Sequence, residues 1–137
     1  MDKTLNYLSL ARKGGLAELG EEPVAAISRT GKAYLIAVAS DASDHTWRRA
    51  KSFAAGTQQQ CLRLPFTKDE MGFAIGRTSL AIAAITDPSL ALALVKALGQ
   101  PEKHSEVLAV LTQKSERANK RRSEAKAHQR NIRKGKK

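Results

Sequence analysis

Apolar residues in this chain come in short blocks whose spacing alternates between helical and continuous. Over residues 4–13, Leu5 and Leu8 with Ala11 or Arg12 recur at helical intervals, and Gly14-Gly15 closes the segment. A brief extended piece, residues 16–19, leads to Gly20. Glu21-Glu22-Pro23 then opens a helix reaching about Arg29. Proline suits the first turn, where its missing N–H has no partner to lose, and the acids complement the positive end of the dipole. Residues 34–39 are continuously apolar, the pattern of a strand buried on both faces. A serine- and aspartate-rich stretch, residues 40–44, starts a helix to about Ala55. Residues 61–64 read as a short strand in which Arg63 marks an edge or half-exposed face.

Thr67-Lys68-Asp69-Glu70 is a capping box for a helix through Ile75. Residues 80–85 form a second wholly apolar strand. Asp87-Pro88 starts a helix with Ala91, Leu94, Val95 and Leu98 on one face, and Gly99 ends it. The passages Val38-Ala39-Ser40-Asp41 and Ala84-Ile85-Thr86-Asp87 both run from a strand through an acid into a helix, which predicts a repeated capping arrangement. Helices alternating with strands predict an α/β fold, a three-layer α/β/α sandwich.

Beyond Pro101 the pattern changes. Residues 107–111 are apolar and fit a last short strand as well as a helical turn, and past Thr112 no apolar side chain larger than alanine occurs until Ile132. The expected division is a globular domain over residues 1–100 and a basic tail over 101–137, partly helical or disordered.

Charge sharpens that division. Of 24 Lys and Arg residues, eleven lie from Lys114 onward against two acids, Glu116 and Glu124, so the tail carries nine of the eleven net positive charges. The preceding 113 residues are nearly balanced. A neutral body with a cationic tail points to a polyanionic partner, and nucleic acid leads the candidates. Arg117, Lys120, Arg121, Arg122, Lys126 and Arg130 are the expected phosphate contacts of the tail. No apolar run approaches the ~20 residues of a membrane span. The start of the chain, Met-Asp-Lys, has no apolar signal region, and a lone cysteine, Cys61, suits a reducing compartment. A cytoplasmic protein is expected.

Catalytic constellations are missing. Gly31-Lys32 resembles the end of a phosphate-binding loop, but Ala26 stands where its first glycine belongs and Ala33 where its hydroxyl belongs. Asp41 and Asp44 read as helix caps before cation ligands. His45, His104 and His128 have no metal-ligand spacing, Cys61 reads as a small buried group, and Trp47 as a packing residue. No enzyme activity, metal or cofactor is expected. The signatures of RRM and KH domains are absent too.

Three stretches taken in order resemble one family: Ala11-Arg12-Lys13-Gly14-Gly15 … Gly20-Glu21-Glu22, then Leu35-Ile36-Ala37-Val38-Ala39-Ser40-Asp41-Ala42-Ser43, then Phe66-Thr67-Lys68-Asp69-Glu70-Met71-Gly72 … Ile75-Gly76-Arg77 … Ala83-Ala84-Ile85-Thr86-Asp87. They resemble the ribosomal-protein family called L-seven-Ae, of L-thirty-e-like fold with a mixed central sheet, and within it small bacterial members of the YlxQ/YbxF type. The resemblance spans about residues 3–98 and leaves the tail outside.

It implies a monomeric RNA-binding protein that recognises the kink-turn, a bent RNA helix, in ribosomal RNA or a structured mRNA leader, with the ribosome as a further partner. The implied RNA-binding residues are Gly20, Glu21 and Glu22 at the second helix, the loop Gly76, Arg77, Thr78 and Ser79, and Arg12 and Lys13. Glu21 replaces the family's usual asparagine, Ala25 its lysine, and Leu16 a lysine of many relatives. Glu22 retains acceptors for guanine N1–H and N2–H, whereas Glu21 offers only acceptors and a charge that phosphates repel. Arg77 is the best-placed compensating cation. The same fold would also serve a module that has lost kink-turn specificity and binds the ribosome or a protein partner.

Overall fold

A computed structural model describes residues 2–135, with side chains through residue 127. Four strands lie in the order β1-β4-β2-β3, where β1 is Ala17–Leu19, β2 Leu35–Val38, β3 Gln60–Arg63 and β4 Ile82–Ile85. β4 is antiparallel to both neighbours, with Ala17 opposite Ile85 on one side and Leu35 opposite Ile85 on the other. β2 and β3 are parallel, Leu35 facing Gln60 and Val38 facing Arg63. The sheet is mixed, and Arg63 sits exposed on an edge strand, as its charge required.

Helices α1 (Lys3–Lys13), α4 (Lys68–Ala74) and α5 (Pro88–Ala97) pack together, and α2 (Glu21–Arg29) packs with α3 (Asp44–Ala54). The result is the expected three-layer α/β/α sandwich. Both central strands, β2 and β4, are buried along their full length, and they contribute Leu35, Ile36, Val38, Ile82 and Ile85 to the core. Their alanines admit close approach of the helices, which explains how so few aromatics suffice.

The two acidic strand exits use different capping solutions, against the expected repeat. Asp87 caps its own helix, accepting from the Leu90 amide at 2.8 Å. Asp41 instead accepts from the amide of Lys68, the first residue of α4, at 2.8 Å, while Ser43 caps α3. β2 and β4 run in opposite directions, so the two acids lie at opposite ends of the sheet.

Residues 107–111 belong to a helix, not a strand. α6 spans Ser105–Gly135 as one continuous helix against α5. A chain rich in Ala, Lys, Arg, Glu and Gln with no internal proline or glycine propagates helix well once its first turns are packed. Leu111 and Ser115 are buried, Ser89 and Ser115 share a hydrogen bond of 2.8 Å, and Arg122 donates to Asp87 at 3.1 Å. Positions 104, 108, 111, 115, 118 and 122 follow the helical repeat as a single docking stripe. Packing therefore continues past residue 100, where the composition alone suggested the body would end, and the tail's first half is a side of the sandwich.

Candidate nucleic-acid interface

Strands β1, β2 and β3 all point one way, and β4 returns. At one end of the sheet, called here the Gly20 end, the chain leaves β1, β2 and β3 and enters β4. At the other, the Asp87 end, it leaves β4. The starts of α2, α3 and α4 and the loop of residues 76–79 therefore share the Gly20 end. The Gly20 amide donates to the Ile82 carbonyl at 3.0 Å, tying the entry of α2 to the chain entering β4. Gly20 has φ of 101°, so the turn itself requires glycine.

The loop is held against α4 by close backbone contact. The Arg77 amide donates to the Gly72 carbonyl at 2.8 Å, and a Cβ on Gly72 would lie 2.6 Å from the Ser79 nitrogen. Gly72 thus sets the loop's position, a role that its place inside a short helix did not announce. Gly76, Arg77, Thr78 and Ser79 are all exposed.

The two glutamates of α2 have separate environments. Glu21 accepts from the Thr46 hydroxyl at 2.8 Å and from Arg49 at 3.0 Å, both on α3. Its charge is neutralised within the protein, so it is not the free anion that repulsion of phosphates would require. Glu22 is 84% exposed, with Arg49 at 3.7 Å. Its carboxylate is available to a ligand. Arg49 was invisible to the sequence reading, since a helical arginine 28 residues away carries no local signal.

Ala25, where the resemblance implies a lysine, is 1% exposed and belongs to the buried face of α2. Arg12 and Lys13 are not brought to this end. They close α1, and the chain then enters β1 at Ala17, opposite Ile85, at the Asp87 end. Four residues of extended chain, about 13 Å, separate Leu16 from Gly20. Leu16 itself is partly exposed at that same distant end.

Trp47 is half-buried, with Arg63 4.8 Å and Lys51 5.5 Å from its ring centre, so cations of the protein occupy its faces. Burial pushes the Cys61 thiol up to about 11, with Lys51 and Arg63 pulling the other way, so the sulfur stays protonated at neutral pH. Burial, with Lys103 nearby, lowers the pKa of His104. Among the described residues no group of three or more His, Cys, Asp or Glu is placed to hold a metal ion. No helix among them is long and apolar enough to cross a membrane.

In the tail, Arg117, Lys120, Arg121 and Lys126 are exposed on α6 and Arg122 pairs with Asp87. The side chain of Arg130 lies outside the described residues.

The arrangement is that of an α/β sandwich presenting a helix start and a neighbouring loop at one end of a mixed sheet. Solved structures with a similar fold include the following two. A Bacillus halodurans protein of unknown function aligns with a TM-score of 0.67 at 23% identity, over 72% of this chain and 99% of that one. The Giardia lamblia 15.5kD RNA binding protein aligns with a TM-score of 0.59 at 17% identity, over 72% of this chain and 84% of that one. No protein-family model matches the sequence, and no curated protein does. The shared property is the fold.

Proposed function

We propose that this protein binds structured RNA of the kink-turn type at the Gly20 end, through Gly20, Glu22 and the loop of residues 76–79. The observation that carries the reading is the Gly20–Ile82 bond, because it sets Glu22 and Arg77 on one end of the sheet. Glu22 supplies carboxylate acceptors for a guanine edge, and Arg77 supplies a cation for the backbone beside it. The fold is that of a protein named for RNA binding, and the net charge of +11 suits the same partner. The proposal includes a non-enzymatic, monomeric, cytoplasmic protein of YlxQ-like kind, acting on ribosomal RNA or an mRNA leader.

The test compares a kink-turn RNA with a straight duplex of equal length. The reading expects tighter binding of the kinked RNA, lost by about ten-fold or more in Glu22→Ala, since a base contact is worth ~1–3 kcal/mol. Equal binding of the two RNAs rejects it.

A second reading draws on the burial of Ala25 and the engagement of Glu21, which together remove two of the contacts that the resemblance implies. In it the sandwich has lost kink-turn specificity and docks on the ribosome or a protein partner. Equal binding of bent and straight RNA favours this reading.

A further inference from the structure

Helix α6 starts near the Gly20 end, where His104 faces Ser40, Arg63 and Pro65 across a shallow cleft. It runs antiparallel to α5, meeting Ser89 at Ser115 and Asp87 at Arg122. At Arg122 it has reached the start of α5, and the residues that follow extend about 20 Å beyond, to Gly135. The direction of α6 therefore delivers its cations to the Asp87 end, away from Glu22 and Arg77.

Other cations already occupy that end. Arg12 and Lys13 close α1 there, and Lys32 follows the turn after α2. α1 and α6 both pack on α5, so at 8–10 Å per helix pair their axes lie within about 20 Å of each other. Arg12, Lys13, Lys32, Arg117, Lys120 and Arg121 are exposed and make no ion pair among the described residues. At the Gly20 end the exposed charges are mixed, with Asp41, Asp44, Asp69 and Glu70 among them. The exposed cations of the Asp87 end, with the acids Glu116 and Glu124 among them on α6, lie opposite the end that the kink-turn reading uses.

We propose that the C-terminal end of α1 and helix α6 form one cationic surface at the Asp87 end, and that it takes double-stranded RNA by its phosphates independently of Glu22 and Arg77. The inference rests on the reading of the chain as RNA-binding, but not on kink-turn recognition. Duplex is favoured over single strand because the aromatics at the Asp87 end, Tyr34 and Phe53, are half-buried and present no open ring for a base. Phe73 is the only aromatic in the exposed range among the described residues, and it lies beside Asp2 and Leu5 at the Gly20 end. The two surfaces would let one molecule hold two helical segments of a folded RNA.

The test measures anisotropy of a labelled blunt RNA duplex of about 20 base pairs over a salt series with the full chain and three double variants. Each released counterion contributes about one unit to the log–log slope. Arg12→Gln/Lys13→Gln and Lys120→Gln/Arg121→Gln should each flatten the slope by about one to two units and weaken binding several-fold at low salt. Arg48→Gln/Lys68→Gln, on α3 and α4 towards the Gly20 end, should leave both unchanged. Matching thermal midpoints establish that each variant is folded. Full duplex binding by the Arg12/Lys13 variant overturns the shared surface, as does an equal loss in the Arg48/Lys68 variant. If the intact chain binds duplex in this way without preferring kinked RNA, the kink-turn proposal fails and this one stands. If it binds no RNA, both fail.

Discussion

Arg49 holds Glu21 at 3.0 Å and lies 3.7 Å from Glu22, the next residue, whose side chain is 84% exposed. Two adjacent acids at one helix start thus have different surroundings, one engaged by α3 and one open to solvent. Successive helical residues point about 100° apart, so when one faces α3 the next faces outward.

Replacing Glu21 should cost stability, whereas replacing Glu22 should not. Glu21→Ala leaves the Thr46 hydroxyl and Arg49 without their acceptor. With the ion pair partly exposed and Thr46 buried, about 1–2 kcal/mol is expected. Glu22→Ala should fall within about 0.5 kcal/mol of the parent. Urea denaturation of the two variants checks the contrast, and an equal loss in both would mean that Arg49 serves them alike.

Gly72→Ala should be more damaging than a helical Gly-to-Ala change usually is. Alanine normally stabilises a helix interior by up to about 1 kcal/mol. Here the new methyl meets the Ser79 backbone at 2.6–2.9 Å, and backbone cannot swing aside as a side chain can. A net loss of about 1–3 kcal/mol is expected, with the loop of residues 76–79 displaced. Denaturation together with amide exchange at Arg77, whose N–H bonds to Gly72, measures both effects. A stabilised variant with a protected Arg77 amide would show that the loop yields freely.

Asp87 serves two helices at once, capping α5 through one oxygen and receiving Arg122 on the other. Asp87→Ala removes both contacts and should cost about 1–2 kcal/mol. Asp87→Asn keeps a capping oxygen and loses the charge, so it should cost less than about 1 kcal/mol, the Arg122 side chain being 61% exposed. In amide exchange, protection in α6 near Arg122 should fall in both variants, while the α5 amide of Leu90 should lose protection only in Asp87→Ala. Unchanged exchange near Arg122 would show that Leu111 and Ser115 alone dock the helix.

Local features were legible from the chain because they rest on neighbours in sequence. The capping box at Thr67 and Glu70 formed as read, and so did the helix start at Glu21-Glu22-Pro23 and both apolar central strands. Strand limits differed by a residue or two at Tyr34, Ala39 and Leu80, where polar turns and edge pairing decide the ends. The last apolar block was ambiguous because five residues fit either period, and contact with α5 settled it as helix. Asp41 was misread as its own helix's cap because the amide it serves, that of Lys68, lies 27 residues away.

By itself the sequence determined the order of elements through α5, the sandwich architecture and the surplus of positive charge, since hydrophobic period, turn chemistry and composition are properties of short segments. Tertiary structure alone decided the ends. Strand direction gathered Glu22 and Arg77 on one side and carried Arg12 and Lys13 to the other. Helix packing then sent the basic tail after Arg12 and Lys13, because Ser115 and Arg122 found partners on α5. Charges distant in sequence become neighbours only when the chain between them has a direction, and that direction is set by pairing and packing.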